Sequence, residues 1–130
     1  MNFVNDSLRR VPCGPLAFLP EGSLVRVPIM PGFVITDDRL GVVRVRSAVI
    51  ARKGGRTYAY ANICRHVPLT LDLGDGEVAS ADRQVFLCHH HGARYRIEDG
   101  KCLYGPCDGE HLFPLKFEEA YGELTLLVPK

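Results

Sequence analysis

The sequence predicts an all-β fold, an antiparallel β sandwich or barrel made of short strands. Three observations support this: apolar and polar residues alternate in several short segments, Gly-containing turns recur between them, and no segment keeps a helical period. The 13 glycines and 9 prolines leave few places for a long helix. A chain of 130 residues suits one domain.

In the N-terminal third, the sequence predicts an extension, a strand, a loop and a second strand. We expect residues 1–22 to be irregular because prolines recur there, and residues 23–130 to form the domain. The first strand is predicted over 24–29. The segment 31–41 is rich in turn formers and is expected to be a loop, and 42–46 alternates apolar residues with arginines, as a half-buried strand does.

Hairpin signals divide the remainder of the chain. They are the pairs Gly54-Gly55, Asp75-Gly76, Asp99-Gly100 and Tyr121-Gly122. Further strands are therefore expected over 58–61, 77–79, 85–87, 93–97, 114–117 and 123–128.

Composition limits the classes of function. A net charge of +1 with scattered charges gives no reason to expect nucleic acid or an anionic membrane as a partner. No apolar stretch approaches the roughly 20 residues that span a bilayer. Residues 1–10 lack the basic start and apolar run of a secretory signal, so the sequence predicts a cytoplasmic protein.

Two short motifs carry the chemistry. One is Cys64-Arg65-His66, and the other, after a gap of 21 residues, is Cys88-His89-His90-His91-Gly92. Each brings one thiolate and one imidazole, and both kinds of ligand bind iron in clusters or zinc. In a centre where one iron takes two Cys and the other two His, each loop must supply one ligand to each iron.

The two motifs resemble the cluster-binding loops of Rieske iron–sulfur proteins. The likeness extends over roughly the last ninety residues and includes Gly92, the aromatic Tyr95 and a Gly105-Pro106 step where the family has a loop that covers the cluster. It implies a [2Fe–2S] cofactor and a Rieske-type antiparallel fold, with a small cluster-binding subdomain at about 61–112 at one end.

The resemblance also implies a role for each ligand. Cys64 and Cys88 are expected to hold the buried iron, and His66 and His91 the iron nearer the surface. Among the three consecutive histidines, His91 is chosen because it alone gives C-x-x-H followed by glycine.

The sequence departs from the high-potential members of the family. Their inter-loop disulfide is impossible here because the two positions are Leu69 and His90, and Ala93 replaces a serine that bonds to a cluster sulfur. Tyr95 stands where many ferredoxin-type members have Phe, and Pro68 replaces a loop glycine. We therefore expect a reduction potential in the lower half of the family range, with Tyr95 bonded to a ligand sulfur.

The other three cysteines are predicted to have no part in metal binding. Cys13 is expected to be structural or incidental. Cys102 and Cys107 flank Gly105-Pro106, and small buried residues are favoured there over a disulfide or further ligands.

The leading functional prediction is a one-electron carrier that takes electrons from a reductase and passes them to an oxygenase or another oxidoreductase. A small Rieske subunit of a larger complex is the alternative. A complete oxygenase on this chain alone is not expected, because the remaining histidines, His89, His90 and His111, lie in or beside the cluster region and the chain has no room for a second domain. A structural zinc site is disfavoured because C-x-H is an unusual zinc pair.

Overall fold

The computed structural model describes residues 8–107 and 109–130, whose regular secondary structure is almost entirely β-strand. A single turn of 3₁₀ helix covers Leu16–Phe18. The strands are β1 (Leu8–Pro15), β2 (Leu24–Asp37), β3 (Gly41–Lys53), β4 (Arg56–Ala61), β5 (Val85–Leu87), β6 (Arg94–Arg96), β7 (Cys102–Tyr104), β8 (Lys116–Ala120) and β9 (Glu123–Pro129). The predicted all-β class is confirmed.

The strands form three antiparallel sheets of three strands each, ordered β1-β9-β8, β2-β3-β4 and β5-β6-β7. The first two sheets share one hydrophobic core, in which alternate residues of β9, Leu124, Leu126 and Val128, are fully buried. This alternation is what a strand with one face on a core requires.

The third sheet and the loops beside it surround a second core. Phe86, Tyr95, Leu71 and Val78 are fully buried there, and Cys64 and Cys88 belong to the same group. Both motif cysteines thus lie in this second apolar interior, to which the β2-β3-β4 sheet also contributes Leu24, Val49, Ala51 and Tyr60.

Three of the four predicted turns join paired strands. Gly54-Gly55 connects β3 to β4, Asp99-Gly100 lies between β6 and β7, and Tyr121-Gly122 connects β8 to β9. Asp75-Gly76 makes no hairpin, because the surrounding segment bends around the buried carboxylate of Asp72. The expected strand at 77–79 is reduced to a single bridge between Ala79 and Phe86.

Two predictions for the N-terminal third are wrong. Residues 1–22 were expected to be irregular, yet β1 pairs with β9 from Leu8 opposite Pro129 to Pro15 opposite Glu123. A register shift between Pro12 and Gly14 accommodates the Pro/Gly-rich sequence. The rest of the expected extension, residues 1–7, lies outside the described residues.

The segment 31–41 was expected to be a loop, but β2 continues to Asp37 and pairs with β3. A register shift between Pro28 and Phe33 absorbs the turn-forming residues, so the pairing resumes beyond them. The resulting long β2–β3 hairpin reaches the motif region, where Arg39 Nη1 lies 3.2 Å from the His66 carbonyl oxygen. Among the described residues no helix has the length and apolarity of a membrane span.

Candidate metal centre

The loop that carries Cys64 and His66 follows β4 and is closed by a buried amide. Asn62 Oδ1 accepts the Leu71 N–H at 2.8 Å, and its Nδ2 donates to Asp72 Oδ1 and Ser47 Oγ, both at 3.0 Å. The side chain of Asn62 therefore joins the two ends of the loop to each other and to strand β3.

Asp72 completes this anchor. Its side chain is 1 % exposed, and its Oδ2 accepts the N–H groups of Gly74 and Gly76 and an ion pair from Arg26 at 2.8 Å. Burial would raise the pKa of this carboxyl, but the hydrogen bonds from Asn62, Gly76 and Gly74 and the charge of Arg26 outweigh it and lower the pKa.

The second loop is a tight turn between β5 and β6. The Cys88 N–H donates to the Ala93 carbonyl and the Gly92 N–H to the Cys88 carbonyl, both at 2.8 Å. Gly92 has a φ of +77°, in the left-handed region that favours glycine. This explains the glycine after the last histidine of the motif and places His91 at the exposed end of the turn.

Hydrogen bonds link the two loops directly. The His89 N–H donates to the Leu71 carbonyl at 2.8 Å, and His90 Nε2 lies 3.2 Å from the Asp72 carbonyl oxygen. His89 is half-buried, with Nε2 3.1 Å from the Ala79 carbonyl oxygen.

The two motif cysteines face each other in the interior. Both are fully buried. The hydrogen bond with Cys88 lowers the pKa of the Cys64 thiol to about 5, against the effect of burial and with help from Tyr95. The same hydrogen bond and burial raise the pKa of Cys88. A soft, anionic sulfur is thus favoured at a position closed to water, as a thiolate ligand requires.

The two motif histidines meet nearer the surface. The ring centroids of His66 and His91 are 5.0 Å apart and the rings are nearly perpendicular, at 85°. His66 is half-buried and His91 exposed. Within the part of the chain that the structure describes, the buried His66 Nδ1 has no hydrogen-bond partner. A buried unpaired imidazole nitrogen is costly, and a metal bond would satisfy it.

Tyr95 lies beneath the first loop and bonds to it twice. Its hydroxyl oxygen accepts the Arg65 N–H at 2.9 Å and lies 3.4 Å from Cys64 Sγ. With the oxygen already accepting from Arg65, its proton is available to the thiolate. The Tyr95 hydroxyl thus contacts the sulfur of Cys64, and the role of that sulfur as a ligand stays a prediction.

The third loop packs against the second. A Cβ placed on Gly105 would lie 3.0 Å from Ala93 Cα, and Gly105 has a φ of +106°. Only glycine fits this close approach. The neighbouring Pro106 is exposed, beside the turn that carries His91.

The expectation that Cys102 and Cys107 stay unpaired is wrong, because they form a disulfide across the third loop. The turn at Gly105-Pro106 brings their Cα atoms to 5.8 Å, within the range that a disulfide spans. Spacing alone could not reveal this, since a five-residue separation is compatible with many loop shapes. Cys13 is free and half-buried.

The four motif residues thus form a buried pair of sulfurs and an outer pair of imidazoles. Among residues 8–107 and 109–130, no three His, Cys, Asp or Glu side chains are placed to hold one metal ion. A zinc site needs four ligands around a single ion, whereas each iron of the mixed cluster needs two protein ligands. The donor set fits the cluster.

Comparisons with known proteins agree with this geometry. The family model of the Rieske [2Fe-2S] domain matches residues 19–119. No curated protein matches the chain.

Solved structures share the fold at low sequence identity. The terminal oxygenase of carbazole 1,9a-dioxygenase from Novosphingobium sp. KA1 aligns with 98% of this chain at 23% identity and a TM-score of 0.66, but this chain covers only 32% of it. The ferredoxin of carbazole 1,9a-dioxygenase from Nocardioides aromaticivorans IC177 aligns with 93% of this chain and is covered over 98% of its own length, at 22% identity and a TM-score of 0.57.

A ferredoxin from Sphingomonas yanoikuyae B1 gives the same result, with 94% of this chain and 99% of that one aligned, 16% identity and a TM-score of 0.60. The family match spans most of the chain and coincides with both motifs. The chain therefore belongs to the Rieske [2Fe-2S] domain family.

Proposed function

We propose that this protein is a one-electron carrier of the Rieske ferredoxin type, which accepts an electron from a reductase and delivers it to an oxygenase or another oxidoreductase. The observation that carries the proposal is the exposed imidazole edge: His91 lies at the surface while both cysteines are buried. An electron can then enter or leave through the outer side, where a partner can approach closely.

We propose Cys64 and Cys88 as ligands of the inner iron and His66 and His91 as ligands of the outer iron. When bound, the cluster supplies a one-electron couple whose potential depends on its ligands and their hydrogen bonds. Tyr95 donates to Cys64 Sγ and stabilises negative charge there. Gly92 closes the second turn, and Gly105, next to Pro106, packs against Ala93 in the same turn.

The lengths of the structural relatives support a carrier. This chain covers nearly all of two ferredoxin chains, and one related structure is a complex of reduced oxygenase with oxidised ferredoxin from carbazole 1,9a-dioxygenase. A small Rieske subunit of a larger complex is the second candidate, favoured by the fit of 98% of this chain to part of an oxygenase chain.

Two finer proposals belong to this assignment. The Rieske domain covers residues 23–130, with a cluster-binding subdomain at about 61–112, in keeping with the matched range of 19–119. The cytoplasm is the proposed location, and fractionation of cells that produce the protein tests it. The Cys102–Cys107 disulfide argues against this location, since disulfides are rare in reducing compartments such as the cytoplasm, and fractionation decides between the two arguments.

Anaerobic electron-transfer kinetics test the function. The protein is mixed with Rieske-system reductases and NADH, cluster reduction is followed by its visible absorption, and the reduced protein is then mixed with oxidised terminal oxygenases. A carrier is reduced and reoxidised repeatedly and elutes as a separate species on gel filtration. Reduction without reoxidation by any oxygenase, together with stable co-elution with a larger protein, contradicts the carrier and supports the subunit.

A further inference from the structure

Arg65 lies between the two proposed ligands of the first loop, and its side chain is almost enclosed. It is 11 % exposed, and its guanidinium binds Asp37 Oδ1 at 2.9 Å and Glu110 Oε2 at 2.8 Å. It also donates to the His111 carbonyl at 2.9 Å and covers the Phe113 ring at 4.1 Å from the centroid.

These partners come from separate parts of the chain. Asp37 ends β2 at the tip of the long β2–β3 hairpin, whereas Glu110 follows the disulfide-closed third loop. A single planar guanidinium therefore joins the first ligand loop to two other elements. Nη2 donates to both carboxylates and Nη1 to the His111 carbonyl, a rigid planar set of donors that a lysine ammonium does not match.

A second arginine extends the network to the other proposed ligand. Arg39 donates to the carbonyl of His66 at 3.2 Å and lies 3.8 Å from Glu110 Oε1. The N–H of Leu40 first, and then that of Arg39 and the charges of Arg65 and Arg39, lower the pKa of Asp37, so that it is ionised at neutral pH. Two cations and two carboxylates thus cancel beside the loop.

Resting on the ligands proposed above, we infer that Arg65 is a positioning residue: it fixes the first ligand loop against the hairpin tip and the third loop, while Asp37 and Glu110 cancel its charge at the cluster.

Stability alone does not account for this arrangement. Removing charges from water costs free energy that ion pairs often fail to recover. This desolvation cost is only partly offset here, because Arg65 Nε is buried and has no hydrogen-bond partner among the described residues. A network of this kind fixes one geometry more effectively than it adds free energy of folding.

The backbone N–H of Arg65 connects the position of this residue to the sulfur of Cys64. This N–H donates to Tyr95 Oη, which bonds to Cys64 Sγ. A displaced Arg65 therefore shifts the hydroxyl that stabilises negative charge on the proposed ligand.

Opposite charge changes within one network provide the test. In the cluster-loaded protein, Arg65→Gln leaves a net negative charge and should lower the midpoint potential, whereas Glu110→Gln leaves a net positive charge and should raise it. The double variant should return toward the wild-type value. Arg65→Lys keeps the charge but not the planar set of donors, so its potential should shift less than that of Arg65→Gln while the cluster is lost several-fold faster on warming.

Arg10→Gln and Glu118→Gln are the controls, since this exposed ion pair lies on β1 and β8. They should change neither readout. Shifts of Arg65→Gln and Glu110→Gln in the same direction, or a wild-type rate of cluster loss in Arg65→Lys, would overturn the inference. If Arg65→Gln retains no cluster, an unchanged potential in Glu110→Gln overturns it. A wild-type protein without a cluster would overturn the proposed ligands as well, so the two failures are distinguishable.

Discussion

The Tyr95 hydroxyl is held between the Arg65 N–H and Cys64 Sγ, at 2.9 Å and 3.4 Å. A donor to a ligand sulfur stabilises the more negative, reduced state of a cluster, so it raises the reduction potential. The position of Tyr95 followed from the motif, four residues after His91. Its second bond, to the backbone of Arg65, did not, because it depends on the loop conformation.

Tyr95→Phe should lower the midpoint potential by ~40 mV, the equivalent of ~1 kcal/mol for a one-electron couple. A redox titration followed by visible absorption measures this. Tyr58→Phe is the control, since Tyr58 packs against the same core from a half-buried position. An unchanged or higher potential in Tyr95→Phe would contradict a donor role for the hydroxyl.

A methyl group added at Gly105 also tests a single residue. It would bring both backbone strain and a steric contact, and a matched control variant separates the two effects. Gly105→Ala should cost about 1–2 kcal/mol for its left-handed backbone and more for the contact with Ala93, and it should speed loss of the cluster. Gly122, with a φ of +74°, also lies in the left-handed region but has nothing within 4 Å of an added Cβ, so Gly122→Ala supplies the control. Equal losses of thermal stability in both variants would mean that the third loop does not press on the second.

At the scale of elements, the first loop depends on a buried polar anchor that no local sequence signal marks. Asp72 meets Arg26 across 46 residues and Asn62 across 10. Hydrophobic alternation and turn residues predicted the strands near each hairpin, but a carboxylate that organises a loop is recognisable only once its partners are in place. The bend at Asp75-Gly76, wrongly predicted as a hairpin, is part of this anchor.

The lowered pKa of Asp72 gives the anchor a pH dependence. An unfolded aspartate titrates near pH 3.9, so the ionised carboxylate stabilises the fold above that pH, and the contribution is lost as the pH falls through the lower folded-state pKa. Asp72→Asn should unfold at a lower temperature than wild type at pH 7, with a loss of about 1–3 kcal/mol from unsatisfied donors.

The difference in unfolding temperature between wild type and Asp72→Asn should narrow as the pH falls below about 4. Scanning calorimetry at a series of pH values measures it. Asp38→Asn alters an exposed carboxylate at the hairpin tip and should leave the profile unchanged. A difference that stays constant down to pH 3 would show that the charge of Asp72 does not support the fold.

At the scale of the whole molecule, there are two hydrophobic cores in the described part of the chain, and only one of them contains the motif cysteines. The cysteines lie in the core between the third sheet and the β2-β3-β4 sheet, which also lines the other core and whose β2–β3 hairpin reaches the first loop. The all-β class was predictable from periodicity and turn residues, and the meeting of the two motifs from their resemblance to Rieske cluster-binding loops. The strand at Leu8–Pro15 was not, because its partner is the last strand of the chain and proline content argued against it.

The residues around the motifs also predict the reduction potential. There is no cysteine at Leu69 or His90 to brace the loops, and the fully buried Ala93 carries no hydroxyl, which leaves Tyr95 as a side-chain donor to sulfur. The midpoint potential should lie between about −150 and +75 mV, the lower half of the Rieske range. A redox titration giving more than about +150 mV would contradict this account of the second coordination sphere.

The ligand assignment is tested most directly by pulsed EPR of the reduced cluster in protein labelled with ¹⁵N-histidine. The account predicts couplings from two histidine nitrogens in wild type and in His89→Ala and His90→Ala. The His66→Ala and His91→Ala variants should lose one of the two couplings or the cluster itself. Two intact nitrogen couplings in His91→Ala, or the loss of one in His89→Ala, would contradict it.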